Sequence, residues 1–279
     1  MKVLPFLIPK PDNATLVVEV DRGEMFYDKL HQHQEIQISL IVRGEGTYLA
    51  GDGIGEFRAG DVFVLGENLP HVFRNDRAEE GVHMISLFFT PSGFGENFFH
   101  LPELRPITPF FKQAELGFRL SSRQAEASDH LLKMSQLPSL RRFLTFMELL
   151  HLLARTKKMP LSSVLNKKKY GEEEGKRMRD ILEHTLANFD RQISLEQIAS
   201  VASMTPNAFC RYFKQRTKKT YLNYLQEIRI ANACKLLARN RELGVAEVAQ
   251  RCGFNNLTNF NRQFKSLKGL TPSGYRRMA

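Results

Sequence analysis

Between Ile193 and Arg276 the chain carries one short pattern twice. The first copy runs Ile198-Ala199, then Ala202-Ser203-Met204-Thr205, then Phe209, Arg211, Phe213 and Lys214. The second runs Val248-Ala249, then Cys252-Gly253-Phe254, then Phe260, Arg262, Phe264 and Lys265. The offset is 50 residues before the turn and 51 after it, so the second turn carries one extra residue. Two copies are too few for a solenoid, so the repeat is a duplicated supersecondary unit.

Each copy reads as two helices joined by a tight turn. In the first, Ser194 and Gln197 make a capping box, and Leu195, Ile198, Ala199 and Ala202 mark one helical face. Thr205-Pro206 restarts the chain as N-cap and first-turn proline. Phe209 and Phe213, four apart, face inward, which turns Asn207, Cys210, Arg211 and Lys214 outward. In the second copy Gly253 supplies the turn and Asn256 the N-cap. Phe260 and Phe264 are the inward pair; Leu257, Thr258, Asn261, Arg262 and Lys265 point out. The outward amides, hydroxyl, guanidinium and ammonium are the groups that address base edges and phosphates. A plain bundle with solvated faces would not repeat Arg and Lys at equivalent outward positions.

The runs Arg229-Ile230-Ala231-Asn232-Ala233-Cys234-Lys235-Leu236-Leu237, Gly253-Phe254-Asn255-Asn256, Phe260 to Lys265 and Gly269 to Arg276 resemble the signature of AraC/XylS-type transcription regulators. The resemblance covers about the last hundred residues. It implies two helix-turn-helix units, at about 193–217 and 245–268, joined by a long helix and each presenting its second helix to a major groove of double-stranded DNA. It implies base reading by Asn207, Cys210 and Arg211 in the first unit, and by Leu257, Thr258, Asn261 and Arg262 in the second. Lys214 and Lys265 are assigned to phosphate. Two positions where the family usually has glycine hold Ser203 and Lys218, at a cost of up to about 1 kcal/mol each if φ is positive there. The joining helix reads as Tyr221 to Leu237, whose 17 residues span roughly 25 Å. Adding the widths of the flanking units sets the recognition helices about 34 Å apart, one turn of B-DNA.

Charge separates the chain into halves. Residues 1–160 hold 18 Lys and Arg against 20 Asp and Glu, a net of −2; residues 161–279 hold 22 against 10, a net of +12. Only the second half therefore has the electrostatics of a polyanion binder. There is no basic amphipathic anchor, signal peptide or membrane-spanning apolar run, so no membrane partner is expected. Cys210, Cys234 and Cys252 have no ligand spacing and fall in helical segments, the pattern of reduced, buried or semi-buried thiols in a cytoplasmic protein.

Residues 1–100 read as β-structure, with runs at 16–20, 34–50 and 60–74 punctuated by Gly-rich turns. This part resembles the cupin barrel: His31-Gln32-His33 opens a strand, and Gly60-Asp61-Val62-Phe63-Val64-Leu65-Gly66 leads to His71. Strand alternation places His31, His33, Glu35 and Gln37 on one face, where His71 could join them. Three imidazoles and a carboxylate suit a divalent transition metal. Metal-binding cupins, however, place Glu near position 37 or 38, where this chain has Gln37 and Ile38. The five residues are accordingly expected to line an effector pocket, with no metal and no cofactor.

Residues 101–160 turn helical after an aromatic, proline-rich crossing from Phe94 to Phe111. Helices are expected at 122–136 and from Pro138 to about Ala154. In the second, Leu140, Phe143, Phe146, Met147, Leu150 and Leu153 form a wide apolar stripe, either packed on the barrel or shared with a second copy in a homodimer. Charged blocks mark 161–175 as a linker, and 176–279 as the DNA-binding domain, opening with a helix from Arg177 to Asn188.

The expected class is therefore α+β and multidomain: a cupin-like β-barrel, a helical dimerisation region and an all-α double helix-turn-helix domain. The expected function is transcription regulation under a small-molecule effector, with RNA polymerase as a further partner. Because sugar-binding members are common in the resembled family, the effector is expected to be a carbohydrate. The rival is a metal-dependent cupin enzyme with a helical appendage, which Gln37 and the +12 half disfavour.

Overall fold

The computed structural model describes residues 14–75, 81–163 and 172–278, which form two compact units, 14–163 and 172–278. The first unit holds nine strands: β1 Leu16–Gly23, β2 Ile36–Arg43, β3 Gly46–Ala50, β4 Gly53–Phe57, β5 Val62–Leu65, β6 His71–Asn75, β7 Val82–Phe89, β8 Phe118–Leu120 and β9 Lys158–Pro160. They make two antiparallel sheets, one ordered β1-β7-β2-β5-β8-β9 and one ordered β4-β3-β6. Helices α1 Thr108–Ala114, α2 Gln124–Met134 and α3 Ser139–Arg155 follow three 3-10 turns that carry the aromatic crossing.

The large sheet is buried on both sides, and period-two alternation in β2 shows how. Ile36, Ile38 and Leu40 face one way and meet Val62, Val64, Leu87 and Phe89, with α1, α2 and α3 closing over them. Ile41, Phe63, Leu65, Val82 and Met84 face the other way and meet Ala50, Phe57 and Phe73 of the small sheet. Gln37 and Ser39 also alternate to this second face, and the register pairs Ser39 with Ser86 of β7. Polar groups thus stand on the inner face of an otherwise apolar sheet.

This packing corrects one expectation and meets one of the two alternatives left open for the apolar stripe. Strands β8 and β9 join the large sheet from the segment expected to be purely helical, and α3 is part of the same core. Phe146, Leu150 and Leu153 are fully buried there, with the Phe146 ring 4.8 Å from that of Phe89. Residues Leu161 to Ser163 are also held on this unit. The Asp52 carboxylate accepts hydrogen bonds from Ser162 Oγ, Ser163 N and Ser163 Oγ, each 2.7 Å. The rest of the expected linker falls mostly on 164–171, outside the described residues.

The second unit is all helix: α4 Glu172–Asn188, α5 Leu195–Val201, α6 Pro206–Thr217, α7 Tyr221–Arg239, α8 Val245–Arg251, α9 Leu257–Lys268 and α10 Pro272–Met278. α4 begins five residues before the expected Arg177. α7, longer by two residues than read from sequence, runs through the middle. Its Ile230, Ala233, Cys234 and Leu237 pack under α8 and α9. No described helix is long and apolar enough to cross a membrane.

Candidate nucleic-acid interface and ligand site

α5–α6 and α8–α9 are the two copies of the repeat. The joining turns have four and five residues, which accounts for the change in offset. Their geometry is otherwise the same. Met204 N donates to Ala199 O at 2.9 Å, and Phe254 N to Ala249 O at 3.0 Å. Ser203 N donates to Ser200 O, and Gly253 N to Gln250 O, both at 2.9 Å. The capping follows the sequence: Ser194 and Gln197 close a capping box, Thr205 accepts from Ala208 N, and Asn256 accepts from Asn259 N. Phe209, Phe213, Phe260 and Phe264 are fully buried.

That burial fixes what α6 and α9 turn outward. Asn207, Cys210, Arg211 and Lys214 are exposed on α6, and Leu257, Thr258, Asn261, Arg262 and Lys265 on α9. All nine positions anticipated for DNA are on these free faces. Cys210 is exposed rather than semi-buried, whereas Cys234 and Cys252 are buried. Burial pushes the Cys252 thiol up to about 12.

In the first unit the three histidines come together, though not by strand alternation. β2 starts only at Ile36, so His31 and His33 sit on the segment before it. His31 is instead held by a two-way backbone bridge to His71, with N···O distances of 3.1 and 2.8 Å. The ring centroids lie 4.3 Å apart for His31 and His71 and 5.1 Å for His33 and His71. Gln37 reaches the cluster, its Oε1 3.0 Å from His33 Nε2. Glu35 reaches only the outer side of the cluster, its Oε2 3.7 Å from His33 Nδ1, the far nitrogen of that ring. Burial lowers His31 to about 4, and burial with its two histidine neighbours holds His71 well below the ordinary imidazole value. Both are neutral at neutral pH.

A cavity of about 590 Å³ lies on the helix-covered side of the large sheet, lined by Ile36, Glu67, Asn68, Phe99, Phe111 and Glu115 among others. Asn68 N donates to His33 O at 2.8 Å, so the cavity lip and the histidine segment are tied. Burial, then Glu115 and Glu35, raise the Glu67 carboxyl above its usual range. None of the five expected effector residues lines this cavity. Its walls come from segments far apart in sequence, and the aromatic richness of 94–111 was the one available signal.

A helix-turn-helix domain model matches residues 198–278, and the AraC-like ligand binding domain model matches residues 17–140. The chain belongs to the AraC family. It is a DNA-binding transcription regulator with an N-terminal ligand-binding domain. The uncharacterized HTH-type transcriptional regulator YdeC of Bacillus subtilis is 26% identical over 90% of this chain and 87% of its own length. The HTH-type transcriptional activator RhaR of Yersinia pseudotuberculosis is 24% identical over 88% of this chain and 83% of its own. The DNA-binding domain of AdpA, solved in complex with a target DNA, is 30% identical over 35% of this chain and 87% of that one, with a TM-score of 0.34. In this AraC-family chain the ligand-binding model covers the strands up to β8, the histidine cluster and the cavity wall, and leaves β9 outside.

Proposed function

We propose that one chain reads an asymmetric DNA site through α6 and α9. The observation that carries this reading is the equivalence of the two exposed faces, which differ in every base-reading side chain except the arginine. Asn207, Cys210 and Arg211 would meet one box, and Leu257, Thr258, Asn261 and Arg262 another about ten base pairs away. Lys214 and Lys265 neutralise phosphate, and each phosphate so neutralised adds about 0.9 to the salt slope. The test is duplex binding by the full chain over a salt series, followed by site selection. Absence of binding at low salt, or a single chain preferring a perfect inverted repeat, overturns the model.

The small-molecule effector is assigned to the 590 Å³ cavity and to the region of His31, His33, Glu35, Gln37 and His71. Aromatic walls with carboxylate and amide acceptors suit a polyhydroxylated ligand, a carbohydrate in the simplest case. The first unit's role is binding rather than turnover, and the protein works in the cytoplasm with RNA polymerase as its downstream partner. Ligand-induced thermal shift with a sugar panel tests the effector class; a response that survives Glu67→Gln and Phe111→Ala places the effector elsewhere.

Homodimerisation is assigned to the outer side of the α2–α3 hairpin. Leu132, Leu140 and Leu144 are 43%, 71% and 51% exposed, while the inner side of the stripe is already used. Leu144→Glu should give a folded monomer by light scattering. Phe146→Glu, which puts a charge into the core, should unfold the unit instead.

A further inference from the structure

We infer that His31, His33 and His71, with Gln37, form a site for one divalent transition-metal ion. The three rings each offer one nitrogen within 4.8 Å of the others. Each Nδ1 faces a backbone carbonyl: Lys29 O at 2.9 Å, Glu35 O at 3.0 Å and Leu69 O at 2.8 Å. A carbonyl can only accept, so each Nδ1 carries a proton, and in the neutral rings of His31 and His71 the lone pair is on Nε2. Metal-ligating histidines are oriented in this way, through the nitrogen that does not bind. His71 Nε2 is buried and has no hydrogen-bond partner among the described residues.

Gln37 adds the second argument. Its amide nitrogen donates to Ser39 Oγ at 2.8 Å and Ser86 Oγ at 3.3 Å, which turns its carbonyl oxygen toward His33 Nε2. The two hydroxyls are themselves joined at 2.7 Å. His33 Nε2 and Gln37 Oε1 therefore meet at 3.0 Å, a contact that is favourable when His33 carries a second proton or when a cation lies between the two atoms. Adjacent ligands on an ion with bonds of about 2.1 Å are separated by about this distance. A reversed amide or a protonated His33 accounts for that contact without an ion, but neither gives His71 Nε2 a partner among the described residues. The nitrogens lie within 4.8 Å of one another, and ligands on an ion with such bonds are separated by roughly 3–3.5 Å, so binding draws the rings together.

The donor set is three imidazoles and an amide oxygen, which selects Zn, Ni, Co or ferrous iron over Mg or Ca. It carries no charge, so Gln37, which read as an argument against a metal, sets the affinity rather than abolishing the site. An ion here would join the segment before β2 to the start of β6, and through Asn68 would stiffen the cavity lip.

The experiment is titration of metal-stripped full-length protein with Co(II), followed by visible absorption, elemental analysis and thermal midpoint. One equivalent per chain is expected, with a raised midpoint. His31→Ala, on a partly exposed segment, should stay folded by circular dichroism and bind at least tenfold more weakly. Gln37→Glu should bind at least tenfold more tightly, because a carboxylate adds the missing charge. The inference fails if folded wild-type protein takes up no stoichiometric Co(II), Ni(II) or Zn(II), or if His31→Ala binds as the wild type does. DNA binding, measured in parallel, reports on the other unit and is independent of either result.

Discussion

The two helix-turn-helix copies reach one backbone geometry with different residues. Where the second places Gly253 and Gly269, at φ of 77° and 73°, the first places Ser203 and Lys218, at 54° and 57°. The hydrogen bonds around these positions match to within 0.1 Å. The first copy therefore carries left-handed strain at two non-glycine positions, and offsets it with a full capping box on α5. The second has unstrained turns, but α8 starts at Gly244 with no side-chain cap. The duplicated architecture is thus stricter than the duplicated sequence: the turn must be made, and the stabilisation is distributed wherever it fits.

The sharpest way to break this comparison is at Gly253. An added Cβ would lie 2.6 Å from Phe189 O and 3.0 Å from Arg229 Nε, whereas at Gly269 it would meet nothing within 4 Å. Gly253→Ala should cost roughly 3 kcal/mol or more in denaturant unfolding, from the clash together with the positive φ. Gly269→Ala should cost only about 1 kcal/mol. Equal losses would show that strain alone governs both sites.

Next in size are the arginines. Arg211→Ala and Arg262→Ala should each weaken specific DNA binding by roughly 1–3 kcal/mol and relax preference in different boxes. Sequence selection that relaxes the same base pairs for both would dissolve the distinction between the copies. Ser194→Ala should then cost about 1 kcal/mol of stability by removing a helix cap. Ser203→Gly and Lys218→Gly should each gain about 0.5–1 kcal/mol, a sign opposite to that of most glycine substitutions. Smallest, Gly244→Ser should raise stability by a few tenths of a kcal/mol through a new N-cap.

The same contrast explains what was legible in the sequence. In the second unit the signals are local: caps, turn residues and the Phe pairs lie within a few positions of the contacts they make. Ser194, Thr205, Asn256 and all nine outward residues could be read directly. In the first unit the contacts span the chain. Strand runs were visible, but not that β8 and β9 would complete the large sheet from 118–120 and 158–160. His31 and His33 were grouped with His71 correctly but for the wrong reason, because a backbone bridge replaces strand alternation there. Glu35 was misplaced by that reasoning. Phe146 was visible as part of a stripe, yet only packing decides which side of an apolar helix is already occupied. The cavity was not legible, since Ile36, Glu67, Phe99 and Glu115 meet only after folding.

Arg229 of α7 donates to Phe189 O at 2.8 Å and Arg191 O at 2.6 Å, just beyond α4, and its guanidinium also lies against the Gly253 turn. One side chain therefore bolts the start of the first reading head to the elbow of the second. For the proposed DNA complex this makes the protein a caliper with fixed jaws. Inserting one base pair between the boxes moves the second box by about 3.4 Å and turns it by roughly 35° around the duplex. A hinged protein would absorb that change; a bolted one must let go of one box. Spacing between the two half-sites should be as strict a part of the operator as the bases within them.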